Sequence, residues 1–281
     1  MTYDAMSAGA LDYAPCRYGN SRLLFRGPRR RLDAPYVAFL GGTETYGKFI
    51  KAPFPALVES DLGLNCVNFG IPNAGIDVFV NDPTVMEAAQ RARVAVLQVV
   101  GAQNLSNRFY TVHPRRNDRF LTASPLLRVI YPEVDFAEFH FNRHMLSHLH
   151  KVSSERFSIV RAELQKAWSA RMDLLTRQIG SRVLLVWFAD HAPLRDEPVG
   201  PDPARSGDPL FVTREMLDSL AGDQVTLAQV VATPEAINAG TSGMVFSEME
   251  AMAAKKMLGP RAHGELARHI GPLLHDMVRP Q

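Results

Sequence analysis

The sequence has few cysteines, no long apolar run and little charge imbalance, and each shortage excludes something. Cys16 and Cys66 are the only cysteines among 281 residues, too few for a disulfide framework or a cysteine-ligated zinc site. Reduced thiols are expected. No apolar run reaches the roughly 18 residues that a membrane span needs. The formal charge of +2 is too near neutral to point to nucleic acid. Residues 1–15 carry Asp4 and Asp12 but neither a basic start nor an apolar segment. No signal peptide is therefore expected, and a cytoplasmic address follows by default. No Walker lysine follows the glycines near residue 41, so nucleotide binding fits poorly.

At 46% hydrophobic and 21% charged, the chain suits one large α/β domain, residues 35–281, preceded by an irregular arm over 1–34. The arm is polar and studded with Arg22, Arg26, Arg29, Arg30 and Arg31. Apolar runs predict five strands, at 35–40, 65–69, 94–100, 182–188 and 225–231. Helices are expected over 48–61 after the Pro53/Pro55 interruption, and over 83–93, 155–180, 213–220, 243–258 and 260–277. Continuous apolar strands alternating with helices predict a doubly wound, mostly parallel five-stranded sheet covered on both faces. Such sheets bind ligands beyond the carboxyl ends of their strands. Thr43, Gly70, Gly101 to Asn104, Asp190 and His191 all fall there.

Residues 102–153 break the alternation. This Arg/His-rich, aromatic insertion is long for a connection, which predicts a functional or partly helical segment. Arg108, His113, Arg115, Arg116 and Arg119 are suited to bidentate capture of an anionic group such as phosphate, sulfate or a sugar carboxylate. Their bland alternative is pairing with Asp118, Glu133, Asp135 and Glu138. His140, His144 and His148 are spaced for one helical face, but His-Glu-x-x-His is missing and no metal is expected. The four-proline segment 190–208 reads as a loop over the sheet edge.

The first strand runs into Gly41-Gly42-Thr43-Glu44-Thr45-Tyr46-Gly47. Against the Gly-Asp-Ser-x-Thr-x-Gly block of the SGNH (GDSL) hydrolase superfamily, Gly41, Thr45 and Gly47 stay in register. Gly70 after the second strand, Gly101-Ala102-Gln103-Asn104 after the third, and Pro260-Arg261-Ala262-His263 before the last helix follow its later blocks. Over residues 35–277 the chain resembles this superfamily as a degenerate bacterial member. It has Thr43 in place of the serine and Pro260 in place of the final aspartate.

The resemblance implies Thr43 as nucleophile and His263 as general base. It implies an oxyanion hole from the Thr43 and Gly70 N–H groups with the Gln103 or Asn104 amide. Glu44, beside the nucleophile position, and the Asp190–His191 pair are secondary acid–base candidates. Glu44 reads equally as a carboxylate suited to a helix N-terminus. The implied activity is ester hydrolysis or acyl transfer on an acylated, anion-bearing small molecule or glycan, without a cofactor. The alternatives are a non-catalytic protein that binds such a ligand, and a sulfuryl or phosphoryl transferase.

Overall fold

A computed structural model describes residues 11–195 and 207–279. Part of the predicted 190–208 loop therefore lies outside the described residues. Strands β1 (Tyr36–Leu40), β2 (Asn65–Asn68), β3 (Val94–Gln98), β6 (Arg182–Ala189) and β7 (Val225–Val231) form one parallel sheet. Its order is β2-β1-β3-β6-β7. Strands β4 (Tyr110–His113) and β5 (Arg116–Ala123) form a separate antiparallel hairpin. All five predicted strands are present.

The twofold repeat of a strand divides the apolar runs between two cores. Val183, Leu185 and Trp187 of β6 face one, and Leu184, Val186 and Phe188 face the other. The first core is closed by helices Pro83–Arg91 and Ser154–Ile179, the second by Phe54–Leu62 and Pro260–Val278. Gly180 ends the long helix in the left-handed conformation at φ 63°, as a glycine after a helix does. Thr213 caps its short helix by accepting the Met216 N–H.

The described part of the arm, residues 11–34, is not a polar appendage. Tyr18, Leu23 and Phe25 are buried in the first core, with Phe25 edge-on to Phe69 at 5.2 Å. The insertion is not a bare loop either. Tyr110, Val112, Phe120 and Ala123 of the hairpin join the same core, followed by helices Pro125–Ile130 and Asn142–Val152. His140 precedes that last helix, so the three histidines do not share its face. His144 and His148 pack against Phe139, at 5.1 and 5.2 Å.

The helix expected over 243–258 is a correction. Only Ala251–Ala254 is α-helical, after a short 3₁₀ turn at Glu248–Glu250. Residues before it run without helix, and the Val245 N–H donates to the Phe49 carbonyl at 2.8 Å. Ser247 and Glu250 then cap each other. The tertiary bond and the Phe49–Phe246 contact hold the segment against the loop that follows Gly47.

Candidate active site

The strand order reverses between β1 and β3, and a crevice at that point is where doubly wound sheets take ligands. A cavity of about 330 Å³ lies there. It is lined by Thr43 and Glu44 after β1, by Gln98 to Gly101 from the end of β3, and by Ala189 and Asp190 from the end of β6. Asn73, Gln103, Asn104 and Asp208 line it as well, as do Lys255 to Gly259.

Thr43 opens a single helical turn, Thr43–Tyr46, that has no side-chain cap of its own. Gln98, the last residue of β3, supplies it. Its Oε1 accepts from the Gly42 N–H at 3.0 Å, the Thr45 N–H at 3.1 Å and the Thr45 hydroxyl at 2.6 Å. These are N–H groups that a helix start leaves without partners. A Cβ at Gly41 would overlap both Thr45 Oγ1 and Gln98 Oε1, so the approach requires glycine. Thr43 is half-buried, and its hydroxyl is held by the exposed Asn73. It accepts the Asn73 N–H at 2.9 Å and lies 3.3 Å from Asn73 Oδ1, to which it donates. Asn73 sits at φ 56°, a left-handed conformation that asparagine tolerates better than most residues. Its Nδ2 reaches Asp118 at 3.4 Å.

His263 is fully buried against Phe54 and Phe188. It is not hydrogen-bonded to Thr43. Its Nδ1 accepts the Phe54 N–H at 3.2 Å and so caps the Phe54–Leu62 helix, whose own N-cap is Pro53. Its Nε2 lies 3.3 Å from Glu44 Oε2, within ion-pair distance, but makes no well-directed hydrogen bond. The direct Thr43–His263 dyad expected from the sequence is thus replaced by contacts in which Glu44 stands at the pocket and His263 behind it.

The expected oxyanion donors are also redirected. The Gly70 N–H donates to Asn68 Oδ1 at 2.8 Å, and Gly70 is glycine because the Tyr46 backbone fills the space of a Cβ. Asn104 donates to the Asn73 carbonyl and accepts from Asn142, both at 3.1 Å, which ties the insertion to the Thr43 support. Gln103 lines the cavity and donates to Asp208 at 3.0 Å, while its buried Oε1 has no hydrogen-bond partner.

The insertion's arginines do not gather at the cavity. Arg108 pairs with the buried Glu163 at 2.5 Å, a partner that the sequence reading did not include. Arg119 stacks on Phe141 at 4.2 Å. Arg115 and Arg116 are exposed, and their N–H groups donate to His113 Nδ1 at the hairpin turn, both at 3.2 Å. The cations that do line the cavity are Lys255 and Lys256, in the segment wrongly expected to be a long helix. Among the described residues neither ammonium pairs with a carboxylate. Asp190 lines the cavity and is exposed. His191 lies 3.9 Å from Asp190, and its ring packs on Trp187 at 5.6 Å.

Gln98 and Asn73 carried no role in the sequence reading. Gln98 is the polar carboxyl end of the apolar central strand β3, the one signal that could have pointed to it. Nothing local marks Asn73.

A family model described as a domain of unknown function (DUF6473) matches residues 1–278. The chain belongs to that family. No curated protein matches this DUF6473 member. Among solved structures it is similar to the lipase Lip_vut3 from a goat rumen metagenome, with 12% identity and a TM-score of 0.47. That match covers 88% of this chain and 100% of the lipase. It is also similar to BT4096, a gut microbial diltiazem-metabolizing enzyme, with 11% identity and a TM-score of 0.38. There the match covers 86% of this chain and 47% of the other. At these levels neither likeness assigns an activity to the DUF6473 chain.

Proposed function

We propose that the protein is an esterase or acyl-transfer enzyme of SGNH type that works at the Thr43 cavity on an acylated, anion-bearing small molecule or glycan. The observation that carries this reading is the Thr43 hydroxyl at the first-strand crevice, held there by Asn73. Lys255 and Lys256 take the anion-binding part that the sequence reading gave to the arginines. A volume of about 330 Å³ stands at the low end of ligand pockets, which run from about 300 to 1,000 Å³. The acyl group is accordingly short.

A second reading, a protein that holds such a ligand without turning it over, has its own support. The Thr43 proton points at an amide oxygen, which cannot act as a base, and His263 Nδ1 is occupied by a helix N–H. Sulfuryl or phosphoryl transfer relied on arginines to stabilise charge. With those side chains outside the cavity, no observation carries it.

The two readings separate on p-nitrophenyl esters. Hydrolysis of p-nitrophenyl acetate well above that of the octanoate, and lost in Thr43→Ala, is expected of the enzyme. Absence of turnover, with a carboxylated acyl glycan raising the melting temperature, would favour the binding protein.

A further inference from the structure

Glu44 and His263 form an arrangement at the cavity that the helix-capping role of His263 Nδ1 does not explain. The imidazole is fully buried and the carboxylate beside it mostly so, and Glu44 lines the cavity, where a carboxylate can take a proton from a reacting group. The Glu44 side chain is 18% exposed and the His263 side chain 0%. Because Nδ1 accepts the Phe54 N–H, that nitrogen bears the lone pair and the ring proton of the neutral imidazole sits on Nε2. Nε2 is buried without a hydrogen-bond partner and faces Glu44 Oε2 at 3.3 Å. Among the described residues the only hydrogen bond to the Glu44 carboxylate is a long one, from the Leu258 N–H at 3.5 Å to Oε1. Its carboxylate therefore keeps acceptor capacity toward the cavity.

We infer that Glu44 is the proton-accepting group of this site and that His263 is its positioning residue. The inference rests on the esterase reading above and deepens it. As the Thr43 hydroxyl releases Asn73 Oδ1 and forms a C–O bond to the ester carbonyl carbon, its proton passes to Glu44 and the carbonyl π electrons move onto oxygen. Collapse of that oxyanion breaks the bond to the leaving alkoxide, which takes the proton back from Glu44. The acyl group then remains on the attacking oxygen, and a water repeats the cycle to release it. His263 stays neutral throughout, and its Nε2–H steadies the carboxylate. The other charged groups lining the cavity are Asp190, Asp208, Lys255 and Lys256. Asp208 is already engaged by Gln103 and Arg143.

The test is the rate of p-nitrophenyl acetate hydrolysis against pH for the full chain and for Glu44→Gln. The amide keeps the side-chain shape and removes the base. The expected result is a fall in kcat/KM of about 10²–10⁴-fold, an unchanged melting temperature, and loss of the low-pH limb of the profile. Glu44→Asp should recover part of the rate. An active wild type whose Glu44→Gln variant stays within about threefold overturns the Glu44 assignment and leaves the esterase reading standing. A wild type with no hydrolysis overturns both. Imidazole ¹⁵N spectra test the positioning role without turnover. His263 should show Nε2 protonated and Nδ1 bare, with the Nε2 signal moving in Glu44→Gln; a ring protonated at Nδ1 overturns that role.

Discussion

Arg26 crosses from the N-terminal arm and donates to the carbonyls of Tyr46, Gly47, Ile50 and Lys51, at 3.2, 2.5, 2.6 and 3.0 Å. Burial lowers its pKa from the ordinary value, yet a guanidinium stays charged inside proteins. It thereby fixes the chain just after the Thr43 turn. Arg26→Ala should destabilise the protein by about 3 kcal/mol, because buried carbonyls lose a charged donor. Arg26→Lys should recover less than half, since an ammonium cannot fork among four acceptors. The urea midpoint measures both. Asp118 offers a pH prediction. Burial raises its pKa above the ordinary 3.8. Below that value the carboxyl is protonated in folded and unfolded chains alike, and no penalty applies. As the pH rises through the folded-state pKa, the carboxylate must ionise in a half-buried site, and stability is lost. Asp118→Asn should therefore be more stable than wild type at pH 7, with the gap closing by about pH 3.8. Thermal melts at both pH values decide it. Single residues were the least legible in the sequence. Thr43 was found through its glycines, whereas Gln98, Asn73 and the Glu44–His263 contact depend on chains meeting across 30 to 219 positions.

The strands were legible because a parallel sheet buried on both faces demands unbroken apolar runs, such as Tyr36 to Leu40 and Val183 to Ala189. The β4–β5 hairpin was not legible. Its strands alternate only briefly, and bulges between Thr111 and His113 break the register. Residues 243–258 misled for the opposite reason: their composition favours helix, but Val245 and Phe246 lie outside any helix and are held to Phe49. The hairpin is fastened by Asn117. Its Oδ1 accepts the Gly75 N–H at 2.9 Å and the Val78 N–H at 3.2 Å, and its Nδ2 donates to the His113 carbonyl. Asn117→Ala leaves those amides buried without acceptors, at a cost of about 2–3 kcal/mol. Hydrogen exchange at Gly75 and Val78 should speed up, while exchange in β1 and β3 changes far less.

At the scale of the whole molecule, the arm, the insertion and one face of the sheet share a core. The cavity is assembled at the sheet edge from the ends of β1, β3 and β6 together with the 255–259 segment. Among the described residues no helix is long and apolar enough to cross a membrane. The architecture was readable from period and composition, and it placed the Thr43 turn correctly at the carboxyl edge. The arginines were misplaced because the hairpin's path could not be foreseen. Chemistry at Thr43 is the claim on which the functional account stands, and it is tested most directly by exposing the protein to a fluorophosphonate and mapping the adduct by mass spectrometry. A single adduct on the peptide carrying Thr43, absent from Thr43→Ala, is the predicted result. No adduct, or one that survives Thr43→Ala, would contradict it.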